Sequence, residues 1–513
     1  MPRGKTTKPK KATTIEEPKR RTGRTRGRGK AMASSESKVA VGSKRKYKTA
    51  ASTDAAPPEE AVVPVPKRQK AGTSRATEET DRAVFVNVKA PKPEPEKRGE
   101  TGAKISHHSH RQEPGEVMTF GQGDIGQLGL GEDIDERKKP SPVRGDLEGE
   151  EVVQLVCGGM HTVALTRDGK VYTWGCNDEG ALGRPTIEGE EYSPGLMVGL
   201  EDVVIVQVSA GDCHTASLTN TGVVYCCGVF RDSNGPFGLA QPGPPSPSPI
   251  VVYDSPTSRA IKVVSGSDHV VVLTNEGDLF SFGCAEQGQL GRVPECFSAR
   301  GGRKGVKYLL DPQMVRFRKS RGVKTKFSDV FCGSYTTYAY TQSRHLFAWG
   351  LNNYGQLGVN DVVIRYVPEQ LPSDCLDTSE DTDGSREELE IAGGQHHSLL
   401  CHRGSVFVMG RREYGRLGMG EEEKTEPLLP TRLPTLTDIV SVAAGSVCSF
   451  AVSRSGQVYS WGMGTSLQLG NGKEDDIWKP TPITGKNIIN RKVIASSSGG
   501  QHTALLVSLP NES

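Results

Sequence analysis

One sequence pattern recurs around most of this 513-residue chain and limits the folds open to it. A strand-like run leads to a G-x-x-H turn, and two more strand-like runs follow, with a W-G pair and then an L-G pair. One copy reads VCGGMHTVALTRDGKVYTWGCNDEGALG over residues 156–183. Self-similarity at a period of about 50–60 residues indicates a repeat architecture. The glycine of the W-G position occurs seven times: Gly121, Gly175, Gly228, Gly283, Gly350, Gly410 and Gly462.

The repeats begin and end with half-units. Residues 115–129 hold only a second half, and residues 492–507 hold only a first half. A closed ring needs such split ends, because pairing them completes the last unit and removes exposed sheet edges. Each unit alternates apolar and polar residues over short runs, with turn pairs such as Asp168-Gly169 between them. The sequence therefore predicts an all-β, seven-bladed β-propeller over 112–510, closed by its N- and C-terminal half-repeats.

Residues 1–111 have a different composition, with 28 Lys+Arg against 12 Asp+Glu and only two aromatic residues. Such a segment buries too little apolar surface to offset its ordering entropy, so we expect a disordered basic tail. Arg24, Arg26 and Arg28 alternate with small and polar residues, a pattern suited to DNA phosphates. A tail that only adds solubility is the alternative. Two further clusters resemble nuclear import signals and predict a nuclear, chromatin-associated protein: Lys44, Arg45, Lys46, Lys67, Arg68 and Lys70.

Several classes of protein are disfavoured by what the sequence lacks. There is no secretory signal and no apolar run of about 18 residues, so we expect neither secretion nor a membrane span. The eleven cysteines form no C-x-x-C pair, which fits a reduced intracellular compartment. No phosphate-binding loop, H-E-x-x-H or G-x-S-x-G motif occurs. We expect no cofactor, no resident metal and no covalent chemistry.

Histidines recur at one position of the repeat. A residue shared by most units is more often a structural hydrogen-bonding group than a catalyst, so function is expected where the units deviate. Thr336 and Cys448 replace the histidine in two units. The five histidines assigned to this position are His161, His214, His269, His396 and His502.

Two deviations affect neighbouring units. Asp212 and Asp268 add carboxylates to two successive G-x-x-H turns, and Asp124 adds a third from the split unit. The second unit also has a spacing of ten residues, rather than eight, from its W-G glycine to its L-G glycine, Gly228 to Gly238. This longer segment contains Asn234-Gly235, a strong hairpin signal, which predicts a protruding hairpin over Phe230–Phe237 with Arg231 on its flank. A tolerated loop insertion is the alternative.

A third deviation is the join over residues 292–326, which has eleven basic and two acidic residues. The rest of the chain after residue 111 is acidic, so a basic insertion there predicts a second, anionic partner on a different surface.

Long stretches carry a resemblance to a known family: GQGDIGQLGLGE (121–132), GCNDEGALGR (175–184), EQGQLGRVPE (286–295) and WGMGTSLQLG (461–470). From Ser106 onward, the chain resembles the regulator of chromosome condensation family, seven-bladed propellers that exchange nucleotide on the small GTPase Ran. The resemblance implies that Asp212, Asp268 and His396 are critical for exchange. It also implies contacts with nucleosomes through Arg300 and Arg303, and with nuclear import receptors.

The resemblance further implies a set of GTPase contacts, including a wedge hairpin. They are Asp124, Phe230, Arg231, Asp232, Ser233, Asn234, Gly235, Pro236, Phe237, Arg292, Asn353 and His502. Two alternatives stay open at this point. One is a chromatin adaptor without exchange activity, and the other is a propeller enzyme with its site at the central channel.

Overall fold

The computed structural model describes residues 113–298, 305–317, 325–372 and 389–509. Four predictions lie outside these residues and remain predictions. They are the disordered tail, the tail arginines Arg24, Arg26 and Arg28, the import clusters (Lys44–Lys46 and Lys67–Lys70), and the insertion arginines Arg300 and Arg303.

The described residues form thirty strands, arranged in chain order around the propeller. The first two strands are β1 (Gly115–Gln122) and β2 (Glu136–Pro142). Blade 1 contains β3 (Val152–Cys157), β4 (His161–Thr166), β5 (Val171–Gly175) and β6 (Gly195–Leu196). The next strands are β7 (Ile205–Ala210), β8 (His214–Thr219), β9 (Val224–Gly228), β10 (Phe230–Asp232), β11 (Gly235–Gly238) and β12 (Ser246–Tyr253). Blade 2 takes β7, β8, β9 and β12, while β10 and β11 form a separate two-stranded hairpin.

The following blades repeat this order with short strands. Blade 3 contains β13 (Ala260–Ser265), β14 (His269–Thr274), β15 (Leu279–Gly283) and β16 (Gln313–Met314). Blade 4 contains β17 (Phe327–Cys332), β18 (Thr336–Thr341), β19 (Leu346–Gly350) and β20 (Arg365–Gln370). Blade 5 contains β21 (Leu389–Gly393), β22 (His397–His402), β23 (Ser405–Gly410) and β24 (Thr431–Arg432). Blade 6 contains β25 (Ile439–Ala444), β26 (Cys448–Ser453), β27 (Val458–Gly462) and β28 (Ile477–Pro482).

Blade 7 joins the two ends of the chain. Its strands follow the order β29 (Val493–Ser498), β30 (His502–Ser508), β1 and β2, so that β30 pairs with β1 across the two chain ends. The β1–β30 pairing runs from Gly115↔Ser508 to Gly121↔His502, and Arg491 Nη1 binds Glu116 at 2.7 Å across it. The predicted seven-bladed propeller and its closure by half-repeats are confirmed.

Helices are short in the described part of the chain. Two α-helices follow β15 within the basic insertion, α1 (Glu295–Ser298) and α2 (Val306–Leu310). Single 3-10 turns occur at Gly145–Leu147, Glu190–Tyr192 and Glu413–Gly415. None of these helices is long and apolar enough to cross a membrane.

The W-G and L-G pairs of the pattern meet at the joint between two blades. Trp174 of blade 1 is fully buried, and its indole N–H donates to the Gln127 carbonyl of blade 7 at 3.2 Å. A Cβ on Gly129 would lie 2.7 Å from that indole nitrogen, so the position requires glycine. Trp349 of blade 4 and Trp461 of blade 6 make the same contact with the blade before their own, through the carbonyls of Gln289 and Arg416.

The G-x-x-H turn makes a second inter-blade contact. In five blades a buried histidine Nε2 bonds a hydroxyl of the next blade, at 2.9 to 3.1 Å. The Tyr338 and Cys448 side chains make the bond at the other two joints, with Ser398 and Ser498. The five histidine pairs are His161–Thr215, His214–Ser265, His269–Thr337, His397–Ser449 and His502–Thr162.

This ring corrects one sequence assignment. The structural histidine of blade 5 is His397, and the sequence prediction had placed His396 at that position. His397 begins β22 and pairs with Gly410, as His161 pairs with Gly175. His396 comes one residue earlier, at the turn position that Asp268 takes in blade 3.

Acid should weaken this ring. Burial lowers the pKa of His161 to about 4 and those of the other four buried histidines to about 3, from a usual value of 6.5. Between pH 6.5 and these lower values, the unfolded chain therefore binds more protons than the folded chain. The free energy of unfolding has its full value above pH 6.5 and falls toward pH 4. We expect the Tm at pH 5 to lie about 10 °C below that at pH 7.5.

Thermal unfolding at the two pH values measures this difference. The exposed His345 provides a control, since His345→Asn removes a histidine that takes no part in the ring. A Tm that stays constant between pH 7.5 and pH 5 would contradict the prediction.

Candidate functional site

Two kinds of loop share one face of the propeller. In each of the first three blades the first residue of the second strand pairs with the glycine of the W-G position, as in His161↔Gly175, His214↔Gly228 and His269↔Gly283. The G-x-x-H turn and the loop after that glycine therefore leave the same end of the blade. Asp124, Asp212, Asp268 and the hairpin all lie on this face.

The hairpin forms as predicted, but its turn is displaced by one residue. Asp232 pairs with Gly235, so the central turn residues are Ser233 and Asn234 rather than Asn234-Gly235. The positive φ, +100°, falls on Gly235 directly after the turn. The Asp232 carboxylate accepts the Asn234 N–H at 2.7 Å, a side-chain bond that favours this tight turn.

The base of the hairpin is part of the hydrophobic core. Phe230 is fully buried and Phe237 nearly so. The Phe230 ring packs edge-on against Phe282 of blade 3 at 5.9 Å and against the His214 ring at 4.8 Å. The prediction that the two phenylalanines contact a partner is wrong for their side chains, since they anchor the hairpin. The exposed tip residues are Ser233, Asn234 and Pro236.

Two carboxylates lie beside the hairpin in a poorly hydrated setting. Asp268 accepts the Arg231 backbone N–H at 2.8 Å, and desolvation, with the nearby Asp212 charge, raises its pKa to about 7. Asp212 is exposed to solvent, but the surrounding loops crowd its carboxylate, and this desolvation raises its pKa. Burial raises the pKa of Tyr335 to about 12, and both aspartates add to the shift. Groups held in this state are characteristic of functional sites.

A second cluster lies on blades 4 and 5. His396 is half-buried, and its ring meets Tyr354 edge-on at 5.2 Å. The Arg411 guanidinium stacks over the same Tyr354 ring at 4.7 Å. Desolvation, followed by the charges of Arg416 and Arg411, lowers the pKa of His396. Asn353, the residue before Tyr354, is exposed.

Sequence reasoning missed Tyr354 and Arg411. The available signal was the RREYGR run at 411–416, which is unusually basic for this loop.

Two predicted contact residues have structural roles. His502 is fully buried and bonds Thr162 across the joint between blades 7 and 1. The Arg292 guanidinium donates to the carbonyls of Tyr308, Leu309 and Asp311 at 3.0 to 3.3 Å. The buried His502 side chain is not accessible on the surface, whereas Arg292 is partly exposed, and its contact with a partner stays a prediction. Asp124, by contrast, is exposed on the face; its carboxylate accepts a bond from Gln127 of its own loop at 3.4 Å, and its carbonyl accepts the Tyr192 hydroxyl at 3.2 Å.

A metal site does not emerge from the described ranges. No group of three or more His, Cys, Asp or Glu side chains within them has the spacing needed to hold an ion.

Comparisons with known proteins identify the family. The RCC1-like domain matches residues 116–505. The regulator of chromosome condensation of Xenopus laevis is 50% identical over 407 residues, which cover 79% of this chain and 92% of that protein. The chain belongs to the regulator of chromosome condensation family.

More distant relatives extend the comparison. The guanine nucleotide exchange factor SRM1 of Saccharomyces cerevisiae is 28% identical, over 76% of this chain and 86% of its own. The crystal structure of Prp20p from Saccharomyces cerevisiae, studied with its binding to Gsp1p and histones, superposes with a TM-score of 0.68. That comparison has 29% identity and covers 79% of this chain and 94% of the Prp20p chain.

The adjacent histidines of blade 5 give a matched test of the structure. His397→Ala removes a fully buried ring and its bond to Ser449, so we expect it to lower the free energy of unfolding by about 2–4 kcal/mol. His396→Ala removes a half-exposed ring and should cost less than about 1 kcal/mol. Urea denaturation measures both values, and the reverse order would contradict the register assigned to β22.

Proposed function

We propose that this chain is a guanine nucleotide exchange factor for Ran, acting through the face that carries the hairpin and the aspartates. The observation that carries the proposal is the coupling of Asp268 to the hairpin through the Arg231 N–H, on a propeller of this family. SRM1, a relative over most of the chain, is itself described as a guanine nucleotide exchange factor.

Exchange of this kind needs no covalent chemistry. A propeller that binds the nucleotide-free GTPase more tightly than the loaded form must weaken nucleotide binding by the same factor, because the two equilibria are linked. GDP leaves from the complex, and GTP then binds and displaces the propeller. The face therefore has to recognise the empty nucleotide site and has no bond to break.

The two parts of the site suit two parts of such a task. The exposed tip, Ser233 and Asn234, is the wedge that enters the phosphate-binding region of the GTPase. The carboxylates of Asp212 and Asp268 attract basic groups that hold phosphate in the loaded GTPase. Because Asp268 is poorly hydrated and lies near the Asp212 charge, it gains more from a cation than an isolated, fully hydrated acid does. His396 and Asn353, with Arg231 and Asp124, complete the contact face.

A second part of the proposal concerns location. Prp20p was studied for its binding to histones, and this chain has basic segments suited to an anionic partner. We assign nucleosome contact to Arg300 and Arg303 of the insertion and to the arginines of the tail, with the two lysine-rich clusters as nuclear import sites. Exchange would then take place on chromatin in the nucleus.

Replacement of either acid tests the site. We expect Asp212→Ala and Asp268→Ala each to slow release of fluorescent GDP from Ran by about tenfold or more, since each removes a negative charge from the contact. Asp254→Ala is the control, because Asp254 is an exposed acid that follows β12 at the opposite end of blade 2. Unchanged release with both acid variants would refute the site, and no acceleration by the wild-type chain would favour a chromatin adaptor.

Removal of residues 1–70 separates the two activities. The truncated chain should bind DNA more weakly and with a shallower salt dependence, because fewer phosphates are neutralised. Its exchange rate on Ran in solution should equal that of the full chain. Slower exchange after the truncation would show that the two surfaces are not independent.

A further inference from the structure

We propose that Glu286 and Glu179 are positioning residues that clamp the hairpin between its two neighbouring blades. The proposal rests on the wedge function assigned above to the hairpin, and it adds two carboxylates that the sequence analysis did not single out. Both lie in loops after the W-G glycine, Glu179 on blade 1 and Glu286 on blade 3, while the hairpin belongs to blade 2.

Glu286 holds the turn of the hairpin with both carboxylate oxygens. The Ser233 hydroxyl donates to one oxygen at 2.6 Å, and the Ser233 backbone N–H donates to the other at 3.0 Å. A carboxylate that accepts two donors from one residue fixes both its distance and its orientation. The contact joins residues 53 positions apart in the chain.

Glu179 holds the other side of the hairpin. From the loop of blade 1, its carboxylate forms an ion pair with the Arg231 guanidinium of the hairpin. The Arg231 backbone N–H donates a hydrogen bond to the Asp268 carboxylate of blade 3. The hairpin is therefore tied to both neighbours at its flank and to blade 3 at its tip, above a base packed on Phe282.

The repeat shows that the clamp is not a general feature of these loops. Asp124 and Asn353 occupy the position equivalent to Glu286, and each accepts a bond from the glutamine of its own loop, Gln127 and Gln356. Glu286 instead bonds Ser233 in the hairpin of the preceding blade, although Gln289 is present in its own loop.

A clamped hairpin suits a wedge. A flexible two-stranded hairpin is only marginally stable by itself, so it would lose conformational entropy on entering a partner. Four bonds to the neighbouring blades, two to Glu286, one to Glu179 and one to Asp268, impose that order before the GTPase arrives. The clamp should therefore affect the exchange step more than the first encounter.

The test combines kinetics with hydrogen exchange. We expect Glu286→Gln to lower kcat for GDP release from Ran about tenfold, since a charge-assisted pair of bonds is lost, while KM stays within about twofold. In the free protein the Ser233 amide should lose its protection from hydrogen exchange while Tm is unchanged. Glu179→Gln should have a smaller effect, because it removes one ion pair while Arg231 stays bonded to Asp268 through its backbone N–H.

A double variant tests whether Glu286 acts through Ser233. Ser233→Ala removes one of the two bonds but also a side chain of the wedge, so the coupling is read in the free protein: the amide of residue 233 in Ser233→Ala with Glu286→Gln should exchange its hydrogen no faster than in Glu286→Gln alone. Additive effects would overturn the clamp.

Asp178→Asn is the charge-matched control. Asp178 is an exposed acid at the position of blade 1 equivalent to Glu286, and the Asp178→Asn variant should release GDP from Ran at the wild-type rate. If it slows exchange as much as Glu286→Gln, the net charge of the face is responsible and the clamp is wrong.

A tip variant keeps this proposal separate from the wedge itself. Replacing Ser233, Asn234 and Pro236 by glycine removes the side chains at the tip. Wild-type exchange by that variant would refute the wedge. Slow exchange by the tip variant together with wild-type kcat for Glu286→Gln would refute the clamp alone.

Discussion

The hydrogen bond between the repeat histidine and the next blade is the contact on which the rest of this structure depends. A Cβ on Gly158 would lie 2.3 Å from the His161 ring, and Gly211 and His214 stand in the same relation at 2.1 Å. The glycine leaves room for the imidazole, and the imidazole reaches the neighbouring hydroxyl. The G-x-x-H spacing is therefore one structural unit, and it requires the ring to stay neutral and buried.

A ring joined in this way can hold unfavourable groups on its loops. The carboxylates of Asp212 and Asp268 repel each other, and Asp268 is poorly hydrated, which does not favour folding. They persist because the surrounding turns are fixed by the inter-blade bonds, such as Asp212 N–H to the Ser267 carbonyl at 2.8 Å. Titratable groups perturbed in this way cluster at functional sites.

The charges on this face also distinguish one side of the ring from the other. Blades 1 to 3 present carboxylates such as Glu179, Asp212 and Asp268, whereas blade 5 presents Arg411 beside Tyr354 and His396. Seven similar blades would otherwise offer a partner seven similar orientations. An uneven charge pattern favours one of them, because like charges in a rotated complex would repel.

The sequence by itself determined the number of blades, the closure by split repeats, the position of the hairpin and the presence of two extra acids. These follow from a local period, because strand pairing within a blade joins residues close in sequence. Only the tertiary structure decided that His397 rather than His396 lies inside, and that His502 and Arg292 are bonded to the frame. It alone revealed the bond from Glu286 to Ser233. The reason is physical: contacts between blades join loop residues about 50 positions apart, and no sequence period constrains which loop atoms meet.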